Sequence, residues 1–367
     1  MKYDFLLVGA GLFSATFAHL ANQSGKSCLI LEKKSNIGGN CFTENIHGIN
    51  VHKFGPHIFH TSNKKIWDFV NKFATFNNFV NRPKVIYKGK VYSFPINLFS
   101  LYQLWGCTSP EEAQKKINEV KVPIESPNNL EEWILSQVGE EIYHTFIYGY
   151  TKKQWGKNPS ELPSFIIKRL PIRLTYDDNY FNDPYQGIPI GGYTKMIENM
   201  VVNIPIEKNV DFLKDIEYWS KQSKKVIYTG ALDELFNYSN GELEYRSLSF
   251  EESILDIDDY QGNAIINYTD ISVPYTRIVE HKHFDTSTIP KNKTIITHEY
   301  PKKWSRGDEK YYPINDEKNN ELYANYKNIT TKEYPNYILG GRLSCYQYYD
   351  MHQIIGQAMQ KFESCFI

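Results

Sequence analysis

The first forty residues combine glycines and one acid at a spacing that can bind a dinucleotide. Gly9 and Gly11 follow an apolar run, and Glu32 ends a second apolar run about 20 residues further on. Gly9 permits a tight turn, Gly11 lets the backbone approach a pyrophosphate, and Glu32 can accept hydrogen bonds from a ribose. A helix beginning after Gly11 would add free N–H groups and the positive end of its dipole. The pattern therefore predicts a dinucleotide-binding βαβ unit.

A second glycine pair bears on which dinucleotide binds. Gly38 and Gly39 follow Glu32 closely and precede Asn40, and a glycine pair just after the acid is typical of enzymes that bind FAD. Ser14 stands where the third glycine of the motif is expected. We predict non-covalent FAD in preference to NAD. The alternative is an ordinary βαβ unit with a chance glycine turn.

Arginine is scarce, which makes each one informative. The chain has seven arginines against 34 lysines, so its general surface charge comes from lysine. Where the chain uses arginine instead of lysine, we expect a need for its planar, bidentate donor, which binds phosphate or carboxylate. The alternative for each is a structural ion pair. The seven are Arg82, Arg169, Arg173, Arg246, Arg277, Arg306 and Arg342.

Composition excludes several classes of protein. The 367 residues suggest two or three domains, and a net charge of −1 gives no reason to expect nucleic acid. We find no apolar run long enough to span a membrane and no signal peptide. Five scattered cysteines without C-x-x-C spacing argue against structural zinc and a redox dithiol and favour the cytoplasm. His57, His60, His281 and His283 lack acidic or thiol partners at matching spacing, so we predict no metal.

The elements that must position these residues indicate an α/β chain with an insertion. Residues 109–165 are mostly helical, and strands return at 225–229, 263–267, 273–279, 294–298 and 337–339. We predict a Rossmann-like FAD-binding domain of the glutathione-reductase type, formed by residues 1–80, 191–240 and 325–367. Residues 97–168 form a helical insertion. Residues 81–96, 169–190 and 241–324 form an antiparallel-sheet domain, whose irregular stretch 169–189 is a candidate lid.

Eight ordered motifs give the chain a family resemblance. They are IGGN at 37–40, HKFGPHIFHT at 52–61, GYTKKQWG at 149–156, FIIKRLP at 165–171, QGIPIGGY at 186–193, LEYRSL at 243–248, VPYTR at 273–277 and YQYYDMH at 346–352. In this order they resemble the bacterial UDP-galactopyranose mutases over essentially the whole chain. The departures are Ser14 and a shorter stretch around 122–129.

The resemblance implies an isomerase that interconverts UDP-galactopyranose and UDP-galactofuranose without net redox change. In that family the N5 atom of reduced FAD attacks the anomeric carbon, UDP leaves, and it returns after the sugar has reclosed. An external reductant such as NAD(P)H keeps the flavin reduced. The resemblance also implies a cytoplasmic homodimer that supplies galactofuranose for cell-surface polysaccharide, such as lipopolysaccharide or capsule.

The same resemblance implies roles for individual residues. Arg169 and Arg277 would neutralise the substrate diphosphate, and His60 would lie near the flavin. The nucleotide-sugar cleft would be lined by Asn81, Phe146, Tyr150, Thr151, Trp155, Tyr180, Arg246, Asn267, Tyr312 and Tyr348. FAD would be held by Gly9, Gly11, Phe13, Glu32, Lys33, Gly39, Asn40, His57, Ile58, Arg342, Asp350, Met351 and Gly356.

Several alternatives stay open at the level of sequence. Within the family, the alternative is a mutase that prefers UDP-N-acetylgalactopyranose. A flavin oxidoreductase of the amine oxidase or desaturase type has a similar N-terminal layout. A nucleotide-sugar sensor would keep both binding sites without turnover. A pyridine-nucleotide disulfide reductase would need a second glycine fingerprint and a C-x-x-C pair, and the chain has neither.

Overall fold

A computed structural model describes residues 1–164, 172–285 and 290–366. The strands of these residues are, in chain order, β1 (Tyr3–Val8), β2 (Cys28–Glu32), β3 (Thr43–Ile46), β4 (Ile49–His52), β5 (Phe59–Thr61), β6 (Lys84–Tyr87), β7 (Lys90–Ser93), β8 (Tyr185–Gly187), β9 (Ile206–Lys208), β10 (Ser223–Tyr228), β11 (Tyr245–Leu255), β12 (Ile265–Tyr268), β13 (Arg277–Glu280), β14 (Thr294–Lys303), β15 (Tyr312–Pro313) and β16 (Tyr337–Leu339).

The helices lie between these strands and after them. They are α1 (Leu12–Gln23), α2 (Lys64–Val70), α3 (Leu98–Trp105), α4 (Pro110–Val120), α5 (Leu130–Ile142), α6 (Gly149–Trp155), α7 (Gly192–Met200), α8 (Ile216–Ser220), α9 (Leu232–Leu235), α10 (Glu317–Glu333), α11 (Gly341–Ser344) and α12 (Met351–Glu363). A π-helical turn, Tyr143–Tyr148, joins α5 to α6.

A parallel sheet contains the predicted βαβ unit. Its strand order is β16-β10-β1-β2-β9, and β1 pairs in parallel with both β2 and β10. Successive residues of β1 and β2 enter different cores: Leu7 and Ile30 pack on one face, Leu6 and Leu29 on the other. Burial on both faces explains why these strands are continuous apolar runs. The carboxyl ends of β1, β2 and β10 consequently meet at one edge of the sheet.

A larger, mostly antiparallel sheet has the order β15-β11-β14-β13-β12-β6-β7. Strands β6 and β7 form a hairpin, which joins this sheet through parallel pairing of β6 with β12. Arg277 on β13 is the register partner of Glu299 on β14. The sheet therefore brings a cation and an acid from distant parts of the chain to adjacent positions.

Helices α3–α6 form a helical block between β7 and residue 172. This block has its own apolar core. Ser109 accepts the backbone N–H of Glu112 at the start of α4, and Asn129 accepts that of Glu132 at the start of α5. Such caps satisfy N–H groups that the first turn of a helix leaves unpaired. Ile134 and Phe146 lie in the core of this block. The exact division into domains stays a proposal.

Three of the elements that differ from the sequence prediction show why it fails. The predicted strand at 273–279 begins only at Arg277, because Pro274 cannot donate to a ladder and its neighbours form turns. Strand β11 was not predicted, since its second half alternates weakly and is largely exposed. Helix α10 was not predicted either. Its buried residues are Asn319, Tyr326 and Thr330, so it lacks an apolar stripe.

No helix within residues 1–164, 172–285 and 290–366 is long and apolar enough to cross a membrane.

Candidate active site

One large cavity is lined by residues of both sheets and of the helical block. Its volume is about 1720 Å³, above the roughly 300–1,000 Å³ of a pocket for one small molecule. The glycine turn after β1 lines one part of it, and Tyr150 and Arg277 line another. The cavity has room for two ligands of nucleotide size.

The turn between β1 and α1 provides a cradle for a pyrophosphate. Gly9 has φ +94°, and a Cβ atom there would lie 2.6 Å from Oγ1 of Thr229, so only glycine fits. A Cβ atom at Gly11 would meet no protein atom within 4 Å. Gly11 immediately precedes α1, whose first N–H groups therefore face this open space. The geometry fits the pyrophosphate of a dinucleotide.

Glu32 and the second glycine pair complete this part of the cavity. Glu32 is 6% exposed, and its carboxylate accepts the N–H of Ala10 at 2.8 Å and that of Lys34 at 2.9 Å. Each oxygen keeps a further lone pair for a ribose hydroxyl. The N–H of Gly38 donates to the carbonyl of Ala10, which fixes the glycine pair against the turn.

Two basic side chains flank the dinucleotide region, and they differ in charge state. Arg342 donates to the carbonyl of Tyr311 and lies 4.7 Å from the ring centroid of Tyr348. Burial lowers the pKa of His57 to about 4, and its Nδ1 lies 2.8 Å from the carbonyl oxygen of Gly55. His57 is therefore neutral near pH 7 and donates Nδ1–H to that carbonyl.

Arg277 is the cation in the other part of the cavity. Its Nε lies 3.2 Å from Oε1 of Glu299, and its guanidinium donates to the hydroxyl of Tyr150. Glu299 is 2% exposed, and burial raises the pKa of its carboxyl. Burial is the largest influence and lowers the pKa of Arg277, but Glu299 and the neighbouring tyrosine hydroxyls together outweigh it and raise that pKa. The guanidinium is therefore a fixed positive charge facing the cavity.

Helix α6 carries Tyr150, Thr151 and Trp155 into the cavity and is fastened to the larger sheet. A Cβ atom on Gly149 would lie 2.0 Å from the carbonyl oxygen of Thr269, so the helix approaches the sheet at a residue without a side chain. The Nζ of Lys153, with three N–H donors, lies 2.7–3.0 Å from four carbonyl oxygens, those of Tyr268, Asp270, Val273 and Tyr275. These contacts hold α6 and its three cavity-lining side chains in place.

Arg246 lines the cavity as predicted and also contacts the backbone of α6. Its Nε donates to the carbonyl of Gln154 at 2.8 Å, and a terminal nitrogen lies 3.3 Å from the carbonyl of Lys153. The side chain lines the cavity and is 8% exposed. Arg246 therefore also anchors the end of α6.

His60 is held by residues that the sequence analysis did not single out. Its Nδ1 lies 2.5 Å from Oδ2 of Asp183, and its ring stacks on Phe181 with centroids 3.7 Å apart. The ring of His352 is 5.0 Å away. His60, Phe181 and Asp183 line the cavity, as do Gly11 and Met351. His352 does not line it.

The structure brings most of the predicted site residues together. The described residues predicted for substrate and cofactor all line the cavity, with the exception of Gly356. Gly356 lies within α12 and faces Ile66. Arg169 lies outside the described residues. The signal that could have found Glu299 is its place directly after the run predicted as a strand at 294–298, of which Thr294–Thr297 are all buried. Asp183 carries no such signal.

Comparison with known proteins agrees with this geometry. A family model described as UDP-galactopyranose mutase matches residues 145–348, and one described as an NAD(P)-binding Rossmann-like domain matches residues 7–73. The chain belongs to the UDP-galactopyranose mutase family. The predicted resemblance, the α/β fold with its Rossmann-like unit and the assignment as a mutase are thereby confirmed. Membership of this family and the Rossmann-like unit imply a flavin cofactor.

Two curated relatives cover nearly the whole chain. The dTDP-fucopyranose mutase of Escherichia coli is 40% identical over 97% of this chain and 96% of its own length. The probable UDP-galactopyranose mutase of Klebsiella pneumoniae is also 40% identical, over 97% of this chain and 93% of its own. A crystal structure of reduced UDP-galactopyranose mutase superposes with a TM-score of 0.77, covering 99% and 95% of the two chains at 14% identity. That likeness concerns the fold.

Proposed function

We propose that the enzyme binds FAD and, when the flavin is reduced, interconverts UDP-galactopyranose and UDP-galactofuranose. The observation that carries this proposal is the joint cavity, which has a dinucleotide cradle at Gly11 and a fixed guanidinium at Arg277. Bound reduced FAD would supply a nucleophile, its N5 atom, to the anomeric carbon. The chain supplies the charge and shape that keep UDP beside it.

Arg277 has the chemistry needed to hold the substrate diphosphate. A planar guanidinium forms charge-assisted hydrogen bonds to phosphate oxygens, and it stabilises the negative charge that grows on departing UDP. Glu299 and Tyr150 fix its orientation from two sides. Arg169 is expected to act as a second cation on the same diphosphate.

Aromatic residues around Arg277 suit the remainder of a nucleotide sugar. Trp155 and Tyr150 provide flat rings for a pyrimidine base. Tyr312 and Tyr348 lie with ring centroids 5.3 Å apart, and with Tyr180 their hydroxyls can donate to phosphate. Phe146, Thr151, Asn81, Asn267 and Arg246 line the same cavity and would enclose the ligand.

The cofactor end is assigned in the same way. We assign FAD to Gly9, Gly11, Phe13, Glu32, Lys33, Gly39, Asn40, His57, Ile58, Arg342, Asp350 and Met351, all of which line the cavity. Gly356 is left out, since it faces Ile66. We also propose an external reductant such as NAD(P)H, a cytoplasmic homodimer and a role in supplying galactofuranose for surface polysaccharide.

A second candidate substrate is dTDP-fucopyranose, because the E. coli relative is as similar as the K. pneumoniae one. dTDP-fucopyranose differs from UDP-galactopyranose in three places. Its base carries a methyl group, its pentose lacks one hydroxyl, and its sugar lacks the hydroxyl on C6. UDP-N-acetylgalactopyranose differs at C2 of the sugar. All three share the diphosphate that Arg277 would bind.

A product assay tests the proposal directly. Purified holoenzyme is reduced and incubated separately with UDP-galactopyranose, dTDP-fucopyranose and UDP-N-acetylgalactopyranose, and the furanose products are separated by liquid chromatography. We expect the highest kcat/KM with UDP-galactopyranose. A higher kcat/KM with one of the other two sugar nucleotides would make that compound the preferred substrate. The absence of a furanose product from all three would refute the mutase activity.

A further inference from the structure

Segment 181–183 makes two separate contacts with His60. Phe181 stacks on the imidazole with an interplanar angle of 11°, which sets the plane of the ring. Asp183 accepts from Nδ1 at 2.5 Å, which sets the rotation of the ring within that plane. Pairing of β5 with β8, in which His60 is the partner of Gln186, holds the two segments in register.

Asp183 is suited to remain ionised beside the histidine. Burial would raise its pKa, but hydrogen bonds from His60 and from the hydroxyl of Ser62 hold the pKa below its ordinary value. A carboxylate has only acceptors to offer, so the nitrogen facing it must carry a proton. In neutral His60 the remaining nitrogen, Nε2, is then an acceptor.

We propose that Asp183 is a positioning residue that fixes the Nδ1–H tautomer of His60 and thereby presents Nε2 as an acceptor to the ligands in the cavity. This inference rests on the proposed function, because His60 shares its cavity with the dinucleotide cradle and Arg277. A histidine oriented by a carboxylate is an effective acceptor, and loss of the carboxylate allows the other tautomer.

The titratable groups that lie near the ring of His60 are Asp183, Asp350 and His352. A nitrogen of His60, a carboxylate oxygen of Asp350 and a nitrogen of His352 all lie within 4.8 Å of one another. Among these groups, Asp183 makes the short contact with the ring.

The test uses FAD-loaded holoenzyme and the variant Asp183→Asn, with Asp178→Asn as the matched control. Asp178 lies in the same stretch of chain but pairs with Arg82 and Lys84. The tautomer of His60 is read from the ¹⁵N shifts of ¹⁵N-histidine-labelled protein, with His60→Gln used to assign the signals. Asp183→Glu keeps a carboxylate and serves as the conservative variant.

We expect a wild-type spectrum of Nδ1-protonated His60 and a mixed or Nε2-protonated one in Asp183→Asn. The kcat of Asp183→Asn should fall by at least about tenfold, with a shifted pH profile and a KM close to that of the wild type. Asp183→Glu should recover part of kcat, and Asp178→Asn should match the wild type.

An unchanged tautomer in Asp183→Asn, or equal losses in both asparagine variants, would overturn the assignment of Asp183. Failure of the wild type to isomerise any sugar would instead refute the proposed function. The tautomer measurement does not depend on turnover, so the two failures are distinguishable.

Discussion

At the scale of single residues, Arg277 gives the most direct test of the site. Arg277→Ala removes the cation that faces the cavity and leaves Glu299 buried without its partner. We expect kcat to fall by roughly 10²–10³-fold, the range for losing one preorganised donor to developing charge. Arg277→Lys should recover only part of the activity, because an ammonium cannot reproduce the planar fork. Steady-state assays with UDP-galactopyranose measure both.

Arg306 provides the control for Arg277. Its side chain is 62% exposed and pairs with Glu242 at the surface, so Arg306→Ala should leave kcat within about twofold of the wild type. We expect Arg169→Ala to resemble Arg277→Ala. Equal losses at Arg277 and Arg306 would indicate general destabilisation and contradict the site assignment.

Glu32 tests the cofactor assignment at the same scale. Glu32→Ala removes the carboxylate that would accept from a ribose, and it also frees the N–H groups of Ala10 and Lys34. We expect FAD binding to weaken by about 1.5–3 kcal/mol, as for hydrogen bonds to a charged group. Titration of apoprotein with FAD, followed by flavin fluorescence, measures the change. The control is Glu44→Ala, since Glu44 is half-exposed. Equal FAD affinities of Glu32→Ala and Glu44→Ala would refute the role of Glu32.

At the scale of elements, the stretch 169–189, which includes β8, is the candidate lid. Within its described part, the N–H groups of Arg173 and Tyr180 donate to the carbonyls of Ile96 and Asn81. Tyr180, Phe181 and Asp183 line the cavity. A ligand that contacts these side chains should hold the stretch closed.

Limited proteolysis tests this lid. We expect trypsin cleavage after Arg169 or Arg173 to slow in the presence of UDP, because the bound diphosphate would hold the stretch against the cavity. Cleavage sites are identified by mass spectrometry, and uridine without phosphate is the control ligand. An unchanged cleavage rate with UDP would refute the lid. It would not affect the role proposed for Arg277.

The elements also show which features a sequence can reveal. The β1–α1 turn and the acid ending β2 were predicted, because their function depends on residues close together in the chain. Asp183 and Phe181 could not be assigned to His60, since the β5–β8 pairing that joins them is a tertiary contact. Helix α10 escaped prediction because it buries polar residues where an apolar stripe would be the signal.

At the scale of the whole molecule, a cluster of buried histidines links β4 to the larger sheet. The N–H of His52 donates to Nδ1 of His281, and the Nε2 of His281 lies 2.8 Å from the hydroxyl of Thr297. Burial lowers the pKa of His281 to about 3. These histidines are neutral in the folded protein at neutral pH, whereas an unfolded chain protonates them near pH 6.5.

This cluster predicts how stability depends on pH. Below about pH 6.5 the unfolded state binds more protons, so the free energy of unfolding should decrease as the pH falls toward the folded pKa. For His281 alone the loss is about 2 kcal/mol at pH 5. Urea denaturation of the holoenzyme at pH 7 and pH 5 measures it. His281→Gln should reduce the slope, while the exposed His144, changed to glutamine, should not.

The balance of electrons separates a mutase from an oxidoreductase for the molecule as a whole. Isomerisation of a nucleotide sugar leaves its oxidation state unchanged, so a hydride donor is needed only to reduce the flavin and to replace losses to oxygen. Under anaerobic conditions we expect each reduced enzyme to form many product molecules without further NAD(P)H consumption. Absorbance at 340 nm and chromatography of the sugar nucleotides follow both quantities in one reaction. Oxidised enzyme should form no product, and consumption of one hydride donor per product would make the enzyme an oxidoreductase.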